Sequence, residues 1–177
     1  MTKFELEPPR PDEAFEFYKT YIRLVPQGDL FETATLQIRE LTNLLEILDD
    51  STASQVHAPY TWTIKQVIGH MIDTERIFAN RLHRFACGDL QPLPGMEQEP
   101  YVNNCDYENP GLDVLIDELC CLRRANVHLM RRLKPIQWDH RGIASGHPVT
   151  VRALGYMLVG HVSYHLQIIQ KRIQSNL

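Results

Sequence analysis

Residues 150–175 read TVRALGYMLVGHVSYHLQIIQKRIQS, and this stretch decides the fold. Its apolar residues recur at three- and four-residue spacing, which predicts an amphipathic helix. Thr150 is a residue type that caps helices, so the helix is expected to begin there and to end near Ser175. Arg152, Gln167 and two histidines interrupt the apolar pattern, so the stretch does not supply the roughly 20 apolar residues that span a bilayer.

Three other segments show the same periodicity, and together the four predict an all-α four-helix bundle. They cover about residues 28–50, 63–88 and 109–134. A shorter amphipathic piece at 11–25 predicts an additional N-terminal helix. With no repeat and no low-complexity linker, residues 1–177 are expected to form a single domain with its core at about 28–175.

The ends of these helices are marked by capping signals. Thr63 followed by Gln66 has the spacing of a capping box, and Gly88 is a typical stop. Asn109 followed by Pro110 predicts the start of the third helix, because proline is favoured at the first helical position. Pro135 is expected to close that helix.

Two loops connect the predicted helices, and strand signals are scarce. The loop at 89–109, between helices two and three, contains three prolines and a glycine. It exceeds the length of about 12 to 15 residues above which loops often bind ligands or cover a site. It also suits the long crossover of some bundles. The second loop, at 137–148, is polar.

Composition excludes some classes of function. The net charge of −4 and the pI of about 6.0 give no basic footprint for nucleic acid. Residues 1–12 have no apolar run of the kind found in signal peptides, so a cytoplasmic protein without membrane contact is expected. The four cysteines match no zinc-binding or redox spacing.

His161 and His165 are candidate metal ligands. They lie four residues apart on one helix and therefore project from the same face. That face also carries Leu154, Met157 and Leu158, so it is expected to be buried. Buried imidazoles need polar partners, and a metal ion satisfies both at once. Hydrogen bonds to neighbouring groups remain an alternative from this pair alone.

His70, on the apolar face of the second predicted helix, is the third candidate ligand. Facing helices of a bundle can place it opposite His161 and His165. Three protein ligands leave a position open, as in catalytic metal sites. Asp73 is expected either to orient an imidazole or act as a base, or else to be a solvated carboxylate. Glu75 lies about 140° around the helix from His70 and is a poorer candidate.

Several motifs resemble those of one known family, the DinB-like superfamily, across nearly the whole chain. The resembling segments are Trp62–Arg76 (WTIKQVIGHMIDTER), Arg152–His165, Tyr21–Leu30 (YIRLVPQGDL) and Pro92–Gly95 (PLPG). Relatives often read GHExHH in the last helix, whereas this chain reads GHVSYH, with Val162 and Tyr164 in place of Glu and His. The same substitution of Val162 argues against HExxH protease chemistry.

The resemblance implies a four-helix bundle that is usually a homodimer, with a divalent metal held by His70, His161 and His165. Zinc and nickel are the metals it implies. It also implies a small-molecule substrate, with a low-molecular-weight thiol as co-substrate in some relatives, and either hydrolysis or S-transfer as the reaction. Two alternatives stay open: a non-catalytic metal-binding bundle for dimerisation or partner binding, and a helical core without metal.

Overall fold

The computed structural model of the chain describes residues 6–175. Residues 1–5, 176 and 177 lie outside the described part. The helices are α1 (Glu16–Ile22), α2 (Leu30–Asn43), α3 (Asp50–Ala53), α4 (Ile64–Ala86), α5 (Gln98–Asn104), α6 (Leu112–Arg131) and α7 (Val151–Ser175). One antiparallel pair of strands, β1 (Arg141–Ala144) and β2 (His147–Thr150), precedes α7.

The four long helices α2, α4, α6 and α7 form the predicted bundle. Helix α4 packs against α6 and α7, and α2 packs against the same two helices on the opposite side. The extra N-terminal helix α1 packs along α7. The sequence prediction of a four-helix bundle with an added short helix is therefore confirmed.

Capping explains where two of these helices begin. At the start of α4, the Thr63 side chain accepts a hydrogen bond from the Gln66 amide, and the Gln66 side chain accepts one from the Thr63 amide. This is the predicted capping box, which satisfies two amides left open at the helix start. At the start of α7, the Thr150 hydroxyl accepts a hydrogen bond from the Ala153 amide (3.0 Å), as predicted.

The predicted first segment, residues 28–50, is broken. Helix α2 ends at Asn43, a 3₁₀ turn follows at Leu44–Glu46, and the short α3 begins at Asp50. At the N-terminal end of α2, the Asp29 side chain accepts hydrogen bonds from two amides and caps the helix. The leucine spacing continues through the break because Leu41, Leu44 and Leu48 all enter the core, so periodicity alone did not reveal it.

The predicted start of the third helix was also wrong. Helix α6 begins at Leu112 after Gly111, which offers no capping side chain, rather than at Asn109 and Pro110. The capping group comes from another part of the chain, since the Asp50 carboxylate accepts a hydrogen bond from the Leu112 amide (2.8 Å). A cap supplied across the fold leaves no local sequence signal.

Both predicted loops contain regular structure. The 89–109 segment includes α5, and the polar 137–148 segment includes the end of a 3₁₀ turn (Pro135–Asp139) and most of the hairpin. Ser145 and Gly146 form the two-residue turn between β1 and β2, with φ of 54° and 78°. Positive φ at both positions is the type I′ geometry that matches the twist of a hairpin.

Two apolar clusters form the core, one at each end of the bundle. The helix α7 contributes to both, because Val159 belongs to one cluster and Val162 to the other. His161 lies between these two residues, so the histidines sit where the clusters meet. Across the described residues, none of the helices has the length and apolar character needed to cross a bilayer.

Candidate metal centre

The structure brings the three predicted histidines together. The Nε2 atom of His161 lies 3.2 Å from Nε2 of His70 and 3.1 Å from Nε2 of His165. The three side chains are 3–8% exposed, and one nitrogen of each lies within 4.8 Å of those of the others. Helix α4 supplies one imidazole and α7 supplies two from successive turns, as the spacing predicted.

The protein groups around these imidazoles leave their hydrogen bonding incomplete. A neutral imidazole nitrogen is either a donor or an acceptor, so His161 Nε2 cannot donate to one neighbour and accept from the other. Within residues 6–175, the buried Nδ1 atoms of His70 and His165 have no hydrogen-bond partner. The convergent Nε2 atoms of the three histidines are better matched by one cation than by each other.

The distances also fit a metal ion. Nitrogen ligands at about 2.0 to 2.1 Å from a tetrahedral zinc ion lie roughly 3.3 Å from one another. The observed separations of 3.1 and 3.2 Å are close to that value. The donor set of three imidazoles suits zinc, nickel and copper rather than calcium or magnesium.

Burial keeps these imidazoles neutral. It lowers the pKa of His70 to about 4 and that of His165 to about 3, where a charge on His70 adds a smaller effect. Burial also lowers the pKa of His161 strongly, and repulsion from His165, His70 and Arg123 adds to it. Neutral imidazoles have a free lone pair, so protons do not compete with a cation at physiological pH.

These shifts predict that the metal-free protein loses stability in mild acid. In the unfolded chain, His70 and His165 take up protons near 6.5, whereas in the folded protein they do so only near 4 and 3. The unfolded state therefore binds more protons in this interval. We expect the free energy of unfolding to have its full value above about pH 6.5 and to decrease within this interval, as the pH falls, by up to about 1.4 kcal/mol per pH unit for each histidine.

Urea titrations of chelator-treated protein between about pH 7 and pH 5 measure this slope. The variant His70→Gln is expected to show a shallower slope, whereas His128→Gln, at an exposed position on α6, is expected to keep the wild-type slope. Equal slopes in wild type and His70→Gln would show that His70 is not held neutral.

Two glycines let neighbouring elements approach the histidines closely. A Cβ atom on Gly160 would lie 2.0 Å from the carbonyl oxygen of Tyr21, so the end of α1 rests directly on α7 beside His161. A Cβ atom on Gly69 would lie 2.3 Å from the ring of Tyr107, which covers α4 beside His70. Each glycine precedes a histidine of the cluster, and neither can be replaced without moving the neighbouring element.

A cavity of about 300 Å³ opens onto the cluster. His70 and His161 form part of its wall, and α1, α4, the 89–109 segment and the hairpin turn form the rest. The other lining residues are Phe17, Tyr18, Tyr21, Thr74, Ile77, Phe78, Arg81, Met96, Glu97, Gln98 and Ser145. The 89–109 segment thus contributes three residues to the wall, and the whole α1 contribution was missed by sequence reasoning.

Asp73 is buried and accepts a short hydrogen bond from the Tyr107 hydroxyl (2.6 Å). Burial raises the pKa of Asp73, while the hydrogen bond from Tyr107 opposes that change. Among the described residues, the Asp73 carboxylate accepts its hydrogen bond from the Tyr107 hydroxyl and not from an imidazole. The predicted role of Asp73 beside the metal stays a prediction.

Sequence reasoning missed a buried polar network next to the cluster. The Arg123 guanidinium donates to the Glu75 carboxylate (2.8 Å) and to the Leu158 carbonyl (2.9 Å), and the Asn126 amide donates to Glu75 (2.9 Å). Arg123 and Glu75 are 0% and 2% exposed. A signal was present, because Arg123 lies four residues after Leu119 on the apolar face of α6.

Comparisons with known proteins agree with the helical fold described above. The model of the DinB superfamily matches residues 34–169. Among solved structures, YfiT from Bacillus subtilis, described as a probable metal-dependent hydrolase with an unusual four-helix bundle topology, is similar with a TM-score of 0.74 and 17% identity. The match covers 97% of this chain and 94% of that one.

A second similar structure is a mycothiol-dependent maleylpyruvate isomerase, with a TM-score of 0.63 and 15% identity. The match covers 86% of this chain but only 62% of the isomerase chain. At these identities the likeness concerns the fold. No curated protein sequence matches the chain.

Proposed function

This chain belongs to the DinB superfamily, and from that premise we propose that it is a metal-dependent enzyme acting on a small molecule. In this proposal His70, His161 and His165 hold one divalent cation. The convergence of their three nitrogens, with His70 and His161 at the wall of an open cavity, is the observation that carries the proposal. A cavity that reaches the donor atoms is what a substrate needs.

The number of donors supports catalysis over a purely structural site. Structural zinc sites are normally closed by four protein ligands, whereas catalytic sites have three and an open position. Among residues 6–175, the group that can hold a metal contains three histidines. No feature of the cavity favours the alternative, a non-catalytic metal-binding bundle.

The proposed reaction is hydrolysis or S-transfer. A divalent cation supplies Lewis acidity toward water, a thiol or a substrate carbonyl. The aromatic side chains of Tyr21 and Phe78, which pack edge-on against His161, shield the imidazoles from bulk water. Asp73, three residues beyond His70, is proposed to act as a base or to orient an imidazole, and its carboxylate accepts a hydrogen bond from the Tyr107 hydroxyl.

The similar structures support both reaction types without deciding between them. YfiT is described as a probable metal-dependent hydrolase, and the isomerase depends on mycothiol, a low-molecular-weight thiol. We propose zinc or nickel as the metal because imidazole suits both ions. We also propose that the protein is a cytoplasmic homodimer of single-domain chains.

Metal analysis of the purified protein tests this proposal. Mass spectrometry after reconstitution with zinc or nickel is expected to find about one ion per chain, and assays of ester hydrolysis and thiol transfer are expected to respond to removal and return of that ion. Failure to retain either metal would overturn the proposed function. Retention of metal without hydrolysis or thiol transfer would support the non-catalytic alternative.

A further inference from the structure

Arg81 occupies the end of the cavity far from the histidines. It lies eleven residues after His70 on α4, which is about three turns or roughly 16 Å along the helix axis. Thr74 and Ile77 lie between them on the same face, and all four residues line the cavity. Side chains on a helix lean toward its N-terminus, and the Arg81 guanidinium carbon lies over the ring of Phe78, 5.9 Å from its centroid.

The charge of Arg81 lacks a carboxylate partner within residues 6–175. The side chain is 4% exposed, and its two described hydrogen bonds both come from Nη2, to the Pro94 carbonyl (2.6 Å) and the Ser145 hydroxyl (3.1 Å). Both acceptors are neutral. Nη1 and Nε therefore remain available to a ligand, and within the described residues the Phe78 ring compensates part of the charge through a cation–π contact.

The structure fixes this guanidinium in place. Ser145, which accepts from Arg81, sits in the left-handed turn of the hairpin with a φ of 54°. The segment carrying Pro94 is attached to the hairpin, because Leu93 exchanges backbone hydrogen bonds with Ile143 and Ser145.

Polar and apolar groups alternate between Arg81 and the histidines. The Thr74 hydroxyl is buried with no hydrogen-bond partner among the described residues, although it lines the cavity. Phe78 and Tyr18 pack edge-to-face beside it. From Arg81 toward the histidines, the cavity wall thus presents a cation, then aromatic rings, and then the Thr74 hydroxyl and the imidazoles.

We propose that this cavity binds a small organic acid, with its carboxylate on Arg81 and its apolar body against Phe78 and Tyr18. Nη1 and Nε are not used by residues 6–175 of the protein, and a charge-assisted hydrogen bond from either one would hold the carboxylate. The other end of the ligand then points toward Thr74 and the histidines. This statement of substrate class rests on the proposed function for the reacting end, but the carboxylate site needs no metal.

Binding of benzoate and of its uncharged analogue benzamide tests the proposal, measured by protein NMR on metal-loaded and on chelator-treated protein. We expect wild type to bind benzoate about tenfold or more tightly than benzamide in both forms, since hydrogen bonds to a charged group are the stronger kind. Arg81→Gln is expected to remove this preference while leaving the affinity for benzamide unchanged. Arg81→Lys is expected to keep part of it.

Glu97 provides a matched control because it is an exposed carboxylate on the same wall. Glu97→Gln is expected to leave the preference intact or strengthen it slightly. Equal binding of the two probes by wild type, absence of binding by both, or a preference that survives Arg81→Gln would overturn the proposal. A preference seen only with metal present would place the carboxylate on the metal and also overturn it.

Failure of the proposed function would look different. A protein that holds no metal but prefers benzoate through Arg81 would keep the organic-acid site and lose the metalloenzyme. A protein that holds metal but treats both probes alike would keep the metalloenzyme and lose the Arg81 site.

Discussion

Replacement of His161 by Ala is expected to lower the affinity for zinc or nickel by more than about 100-fold, the upper end of the loss that follows removal of a supporting group around a metal. His161 is the central member of the cluster, because its Nε2 is close to both other nitrogens. Without it, two imidazoles from different helices remain. Metal content by mass spectrometry and competition with a chromophoric chelator measure the change.

The matched control is His128→Ala, since His128 is exposed on α6 and remote in sequence from the cluster. It is expected to bind metal as wild type does. His161→Gln preserves more side-chain volume than His161→Ala and separates loss of a ligand from collapse of the core. One equivalent of tightly bound metal in both His161 variants would remove His161 from the ligand set.

The sequence predicted the histidine cluster well because its two parts follow from local periodicity. Four-residue spacing on a helix places His161 and His165 on one face whatever the rest of the chain does. His70 lies on the apolar face of α4, so burial of that face directs it into the bundle. Only the choice of facing helices depended on tertiary structure, and bundle topology leaves few possibilities.

The cavity was less predictable because its wall is assembled from distant parts of the chain. Tyr18 on α1 donates a hydrogen bond to Ser145 in the hairpin turn (3.4 Å), across 127 residues. No local pattern reports such a contact. Ser145 and Gly146 form one of the dipeptides that are typical of turns. This dipeptide was the available signal for the hairpin, but the sequence analysis interpreted the segment as a polar loop.

The errors at helix ends have the same origin. Local capping was predicted correctly at Thr63 and Thr150, where donor and acceptor are three residues apart. The start of α6 depends instead on Asp50, 62 residues earlier in the chain. Asn109 and Pro110 satisfied the local rule for a helix start. The cap that Asp50 supplies from elsewhere in the same chain instead places the start of α6 two residues later.

The Glu75–Arg123 pair is expected to have the largest effect on stability. Breaking a buried ion pair by removing one partner typically costs about 3 to 5 kcal/mol, because the other charge is left buried and unpaired. Burial raises the pKa of Glu75 and lowers that of Arg123, so both charged forms depend on each other's presence. We expect Arg123→Ala to lower the free energy of unfolding by that amount in urea titrations.

Two controls separate charge from packing. Arg124→Ala removes an exposed arginine next to Arg123 and is expected to change the free energy of unfolding by less than about 0.5 kcal/mol. Replacing both partners, as in Glu75→Leu/Arg123→Met, is expected to cost far less than Arg123→Ala alone, because no unpaired charge remains. A double variant as unstable as the single one would show that Arg123 acts through packing and its bond to the Leu158 carbonyl.

The position of this pair links stability to the metal site. Glu75 follows His70 on α4, and the Leu158 carbonyl that Arg123 binds precedes His161 on α7 by three residues. Arg123 on α6 therefore holds together the two helices that carry the histidines. If the pair serves to set their spacing, the double variant will fold with nearly wild-type stability yet bind zinc less tightly. If the pair serves stability alone, the double variant will bind zinc as wild type does.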